Sequence, residues 1–195
     1  MNAPAATATF EVLELTGIER CGIKGPAALT LLQGVAAPVP ETANAVLRFA
    51  APEAGRCLRL GRTEFILEQD DGAALMGRVA AAVAASTQAV ALAPRSDRCF
   101  VLRGEGLFPA LRRISNFDFE SLGATPDIAV MTLLAGISVF FVPEPAQKGP
   151  ALRLWSDPGF GDYLLECFAS LGGRLAAPPT QHAPSLPSLK QGTPA

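Results

Sequence analysis

What this chain lacks is a catalytic toolkit. Its one histidine, His182, lies in a Pro-rich terminal stretch, where no rigid triad or zinc site can be held within hydrogen-bond reach; that argues against Ser-His-Asp, Cys-His and most zinc chemistry. No Cys-x-x-Cys occurs, and Gly-x-Gly-x-x-Gly and the Walker A pattern are absent. Charge is scarce: 17% of residues carry one, and 16 basic against 18 acidic side chains leave −2, which provides no footprint for nucleic acid or an anionic membrane. Long apolar runs are missing as well. Uncharged stretches such as Val79 to Pro94 and Ile128 to Pro143 fall short of the ~20 residues a spanning helix needs. The start Met1-Asn2-Ala3-Pro4 has no positive region followed by an apolar one, so no secretory signal is expected.

What is present is apolar and repetitive. Hydrophobic residues make up 49% of 195, enough for one large domain or two packed half-domains, and the thin charge implies apolar surface left for a partner. Cys21, Cys57, Cys99 and Cys167 stand far apart in apolar contexts and read as reduced, buried thiols. Arg20-Cys21-Gly22-Ile23-Lys24-Gly25 and Arg98-Cys99-Phe100-Val101-Leu102-Arg103-Gly104 each open an apolar stretch. Leu58-Arg59-Leu60 precedes a helix-like run much as Leu152-Arg153-Leu154 does. One supersecondary unit is used twice.

The first half predicts strand 19–24, helix 26–33 (Gly25 as cap, Pro26 at the first position, Gly34 as stop), strands 56–61 and 64–69, helix 73–85 and strand 87–92. This β-α-β-β-α-β order is ferredoxin-like. The second half predicts strand 98–103, helix 105–114, strands near 128–134, 137–142 and 151–155, and helix 158–171, whose residues Phe160, Tyr163, Leu164, Cys167, Phe168 and Leu171 have the spacing of one buried stripe and are expected in the core. The expected organisation is a flexible segment 1–9, halves 10–95 and 96–173 in an α+β fold, and a Pro-rich tail 174–195 that is disordered or lies along a partner. Asp70-Asp71 before Gly72 reads as a solvated turn at a helix start. Asn116-Phe117-Asp118-Phe119-Glu120 could line a groove, dock a partner or close over the core.

Four segments resemble the sarcosine oxidase gamma subunit family, a divergent relative of the aminomethyltransferase (glycine-cleavage T-protein) folate-binding fold. They are Cys21 to Pro26, Leu58 to Leu67, Thr132 to Ile137 and Leu154 to Leu164. The resemblance implies a non-catalytic gamma subunit in a cytoplasmic heterotetramer that oxidatively demethylates a secondary N-methyl amine and passes the one-carbon unit to tetrahydrofolate. It implies alpha and beta subunits as partners, no cofactor on this chain, and FAD, FMN, NAD, tetrahydrofolate and zinc in the other subunits. Where aminomethyltransferases carry a Thr-Gly-x-x-Gly-Glu-x-Gly-aromatic-Glu loop, this chain has Pro143-Glu144-Pro145-Ala146-Gln147-Lys148-Gly149-Pro150, and proline changes both geometry and donor supply. The Lys-Gly-Cys-aromatic-x-Gly signature of the iron–sulfur branch is missing, and Arg103-Gly104-Glu105-Gly106 replaces the usual Ser-Gly-Pro-like start of the second-half helix. No catalytic, cofactor or metal residue is expected. The expected partner contacts are Phe117, Phe119, Arg174, Pro178 and Pro179. The alternative is a stand-alone folate or one-carbon binding protein, with a carboxylate converging on a pocket between the halves.

Overall fold

The computed structural model describes residues 9–15, 18–35, 37–50, 54–69 and 74–176. Along the chain these form β1 (Phe10–Leu15), β2 (Glu19–Lys24), α1 (Ala28–Gly34), β3 (Ala45–Phe49), β4 (Gly55–Arg59), β5 (Glu64–Gln69), α2 (Ala74–Ala85), β6 (Ala91–Pro94), β7 (Arg98–Arg103) and α3 (Leu107–Leu111). There follow a 3-10 turn Phe119–Ala124, β8 (Val130–Leu134), β9 (Ile137–Pro143), β10 (Ala151–Ser156), a 3-10 turn Pro158–Phe160, α4 (Gly161–Ser170) and β11 (Gly173–Ala176).

Strand alternation sends successive side chains to opposite faces, and here it builds four layers. One sheet has the order β3-β4-β5-β2-β6 and the other β11-β1-β7-β10-β9-β8. Cys21, Ile23, Phe65 and Leu67 face α1 and α2, packing on Leu32, Leu75 and Val79. Phe100, Leu102, Leu152 and Leu154 face α3 and α4, packing on Leu107, Leu164 and Phe168. The opposite faces of the two sheets meet through Val46, Leu58, Ile66, Cys99, Phe140, Val142 and Trp155. The order is therefore helix, sheet, sheet, helix, an α+β fold of two ferredoxin-like halves.

The duplication is confirmed at backbone detail. After the opening strand of each half comes a glycine with positive φ, Gly25 (131°) and Gly104 (138°). Each donates its N–H to the residue before the third core strand: Gly25 to the Thr63 carbonyl at 2.9 Å and Gly104 to the Pro150 carbonyl at 3.1 Å. The equivalent pairs are thus β4 with β9 and β5 with β10, so Leu58-Arg59-Leu60 matches the strand before Leu152-Arg153-Leu154, a correction of one strand to the sequence pairing.

The halves differ in who fills the place beside the first core strand. In the first half it is β6, antiparallel to β2. In the second it is β1, antiparallel to β7, while β11 joins outside β1 in parallel. The division at 95/96 therefore separates β1 from the sheet it completes.

Other differences are local. The strand expected at 87–92 is β6, further along, because Gln88 N–H bonds back to Ser86 Oγ at 3.1 Å and the helix exit runs on. The helix expected at 105–114 shortens to α3, and the one at 158–171 divides into a 3-10 turn and α4; of its expected buried stripe Leu164, Phe168 and Leu171 are in the core, whereas Phe160 and Tyr163 are exposed, because the division turns the first of them out of the helix face. β1, β3, β11 and the turn at Phe119 had no counterpart in the sequence reading. Gly173–Ala176 is strand, so the tail departs later than 174; Pro178, Pro179 and His182 lie outside the described residues, as do Asp70 and Asp71.

All four cysteines are free. Burial pushes the Cys21 thiol up to about 11 and those of Cys57 and Cys99 up to about 12. Raised thiols stay protonated and unreactive. In native protein at pH 8 a thiol reagent is expected to modify only Cys167, with the other three appearing on denaturation; prompt native labelling of Cys99 contradicts the packing. A second test uses the glycines. A Cβ at Gly104 would stand 2.9 Å from Phe10 Cα, and one at Gly25 would meet the Ala89 carbonyl. Gly25→Ala and Gly104→Ala are each expected to lower unfolding free energy by about 1–3 kcal/mol, read by urea denaturation.

Candidate functional site

Cross-strand register places charge where the two sheets meet. Glu68 on β5 is directly opposite Arg20 on β2 and Arg56 on β4, and the three side chains form one row on the inner face. From the facing sheet, β10 contributes Arg153 and Trp155. Arg153 Nη1 donates to Glu68 Oε1, and Trp155 Nε1 donates to Oε2 at 2.9 Å. Arg20 Nε stands 2.8 Å from Oε2 and Arg56 Nε 3.5 Å from Oε1. The Glu68 side chain has 0% exposure.

Glu144, on the loop after β9, extends the row. Arg56 Nη1 donates to its Oε1 at 2.7 Å and Arg153 Nε lies 3.6 Å away. At the other end Arg20 Nη1 donates to the Asp97 carbonyl at 2.6 Å. Trp155 stacks on Phe140 with centroids 4.8 Å apart, which excludes water from the indole side of the cluster. The backbone adds a seam, with Val46 N–H on the Asp127 carbonyl and Ala129 N–H on the Asn44 carbonyl, both at 2.8 Å.

A carboxylate does converge on the space between the halves, as the binder alternative expected, but its oxygens are filled by protein. Cys99 nearby is held protonated by burial, with Glu68 adding to the rise and Arg153, Arg20 and Arg56 opposing it. Among the described residues no group of His, Cys, Asp and Glu could hold a metal. The cluster is a buried latch between the halves.

Next to it the second sheet's inner face is open. A cavity of about 870 Å³ is bordered by β1, β7, β10 and the loop 144–150, the segment that departs from the aminomethyltransferase pattern. Arg103 bonds Glu11 through Nε at 2.9 Å, and Arg174 Nη2 reaches the same carboxylate at 2.5 Å. The Arg103 hydrogen bond, with the charge of both guanidiniums, holds the Glu11 carboxyl below its usual range.

Of the expected contact residues, Arg174 is exposed and borders this groove. Phe119 is fully buried and stacks with Phe141, while Phe117 packs edge-on to both rings. The alternating segment closes over the core, so Phe119 has no surface to offer a partner. Glu68, Arg20, Arg56, Arg153 and Glu144 were not singled out from the sequence. The available signal was a charge inside an apolar strand: Glu68 after Phe65-Ile66-Leu67, and Arg153 between leucines.

No protein-family model matches the chain, and no curated protein matches it. Solved structures do. A chain of the heterotetrameric sarcosine oxidase from Corynebacterium sp. U-96, in complex with pyrrole 2-carboxylate, is similar with a TM-score of 0.69 and 16% identity, over 86% of this chain and 86% of that one. The glycine cleavage system aminomethyltransferase T from Bartonella henselae is similar with a TM-score of 0.65 and 12% identity, over 87% of this chain and 48% of that one. This chain spans about half the aminomethyltransferase. At such identities the likeness is one of fold.

Removing one partner from a buried ion cluster leaves uncompensated charge, at a cost of about 3–5 kcal/mol. Glu68→Gln is expected to lose that much in urea unfolding, against under about 1 kcal/mol for the exposed pair partner Asp127→Asn; equal small losses would refute the latch.

Proposed function

We propose that this chain is a non-catalytic, gamma-type subunit of a sarcosine-oxidase-like flavoprotein complex, acting by association with the larger alpha and beta subunits. The observation that carries the reading is whole-chain correspondence: the likeness to a chain of a heterotetrameric sarcosine oxidase extends over 86% of both. The site supports it, since the carboxylate between the halves is consumed by arginines and no described group is poised for acid–base or nucleophilic work. Exposed apolar side chains support it too. On β8 Met131 and Leu133 are 62% and 57% exposed, and Phe160, Tyr163 and Leu175 add further area, of the kind that partners cover.

In this reading the oxidising flavin, the folate site and the zinc belong to other subunits, and the complex takes a secondary N-methyl amine and hands its one-carbon unit to tetrahydrofolate. Free, buried thiols fit a reducing compartment such as the cytoplasm, and among the described residues no helix is long and apolar enough to cross a membrane. The likeness to aminomethyltransferase T favours a second reading, a stand-alone binder of reduced folate.

Affinity capture of the tagged chain from its native cell separates them. The subunit reading expects two larger polypeptides in the eluate with visible flavin absorbance. A chain that elutes alone, monodisperse, and binds a reduced folate overturns it in favour of the second.

A further inference from the structure

We propose that the groove on the inner face of the second sheet seats an acidic segment of a protein partner, whose carboxylates enter among Arg103, Lys148 and Arg174. The proposal rests on the subunit reading and adds the chemistry of the surface that the partner presents.

Charge is the first argument. Arg103, Lys148, Arg153 and Arg174 border the groove, against two carboxylates, Glu11 and Glu144. The chain as a whole is acidic, with 16 basic and 18 acidic residues, so this cationic excess is local.

The carboxylates present are already committed. Glu11 lies between Arg103 and Arg174, and Glu144 between Arg56 and Arg153. Lys148 makes no ion pair or hydrogen bond among the described residues, and the Arg103 and Arg174 side chains remain 51% and 63% exposed. Donors on these three side chains therefore outnumber the acceptors facing them. A carboxylate is acceptor-only and matches guanidinium geometry in charge-assisted pairs.

Shape decides between a small molecule and a chain segment. Small-molecule sites enclose most of the ligand within mainly apolar walls. This groove instead lies open along strands β1, β7 and β10 and is walled on one side by the 144–150 loop, with cations spread along it. That arrangement suits several carboxylates in series, and charges at a rim set encounter rate and salt dependence.

The test uses the full chain, a fluorescein-labelled hexaglutamate, free glutamate and hexathymidylate, with Lys148→Glu as the variant because Lys148 is exposed and makes no ion pair or hydrogen bond among the described residues. Anisotropy is expected to show hexaglutamate binding that weakens at least about tenfold in Lys148→Glu, and similarly when salt rises from about 0.05 to 0.5 M, with unchanged thermal unfolding of the variant. No binding by the wild type, equal binding by the variant, or binding of free glutamate or hexathymidylate as tight as that of the peptide overturns the proposal. If affinity capture yields no flavoprotein while hexaglutamate still binds through Lys148, the complex reading alone falls; flavoprotein retained undiminished by Lys148→Glu removes the groove alone.

Discussion

Taking a carboxylate out of water costs several kcal/mol unless opposite charges and hydrogen bonds meet it, and Glu68 is met from both sheets. Arg20 and Arg56 reach it within its own sheet, Arg153 and Trp155 from across the interface. Such a cluster adds little net stability over a well-packed apolar core, but it is intolerant of displacement. A one-residue slip of β5 would turn Glu68 toward Leu75 and Val79 and take its carboxylate away from Arg20, Arg56 and Arg153. The latch thus fixes which faces of the sheets meet and at what register, and the apolar contacts of Leu58, Ile66, Phe140 and Val142 fill in around it.

The duplication gives the latch its position. β5 and β10 are equivalent strands of the two halves, and both face the interface near its centre. The copies have diverged there: β5 carries the acid and β10 the base, so a charge pair links what began as like strands. At the periphery divergence takes another form, with β1 occupying in the second half the place that β6 occupies in the first. The halves are consequently interlocked, because the chain begins in the second sheet, completes the first, and returns.

What was legible in the sequence follows from where signals are local. Gly25 and Gly104 and the stripe from Phe160 to Leu171 each declare themselves within a few residues, and a strand-to-helix turn and a helix are there, with Leu164, Phe168 and Leu171 of the stripe buried and Phe160 and Tyr163 exposed. β1, β3 and β11 are short, and their strand character comes from neighbours remote in the chain, as when Leu175 pairs with Val12. Phe119, expected at a partner surface and found in the core, illustrates the opposite error. Alternating rings and polar groups read alike for a docking edge and for a lid over Phe141, and only three-dimensional proximity separates them. The latch was hidden for the same reason: its members come from four strands and one loop, and no pair of them is adjacent in sequence.

The same distribution of charge separates interior from surface. Within the latch, arginines are matched to carboxylates, and Trp155 and Phe140 shield them, so nothing there is left for a ligand. Along the groove bordered by β1, β7, β11 and the 144–150 loop the matching stops. Among the described residues Arg103 and Arg174 share a single carboxylate and Lys148 has none. Among the described residues the charge left unmatched thus lies beside the latch, on the inner face of the second sheet and the 144–150 loop. Arg103 and Arg174 are held on strands and tied to Glu11, so they are ordered before a partner arrives and association does not have to offset much of their rotamer entropy. That preorganisation is the physical reason the proposed docking surface is placed on the inner face of the second sheet.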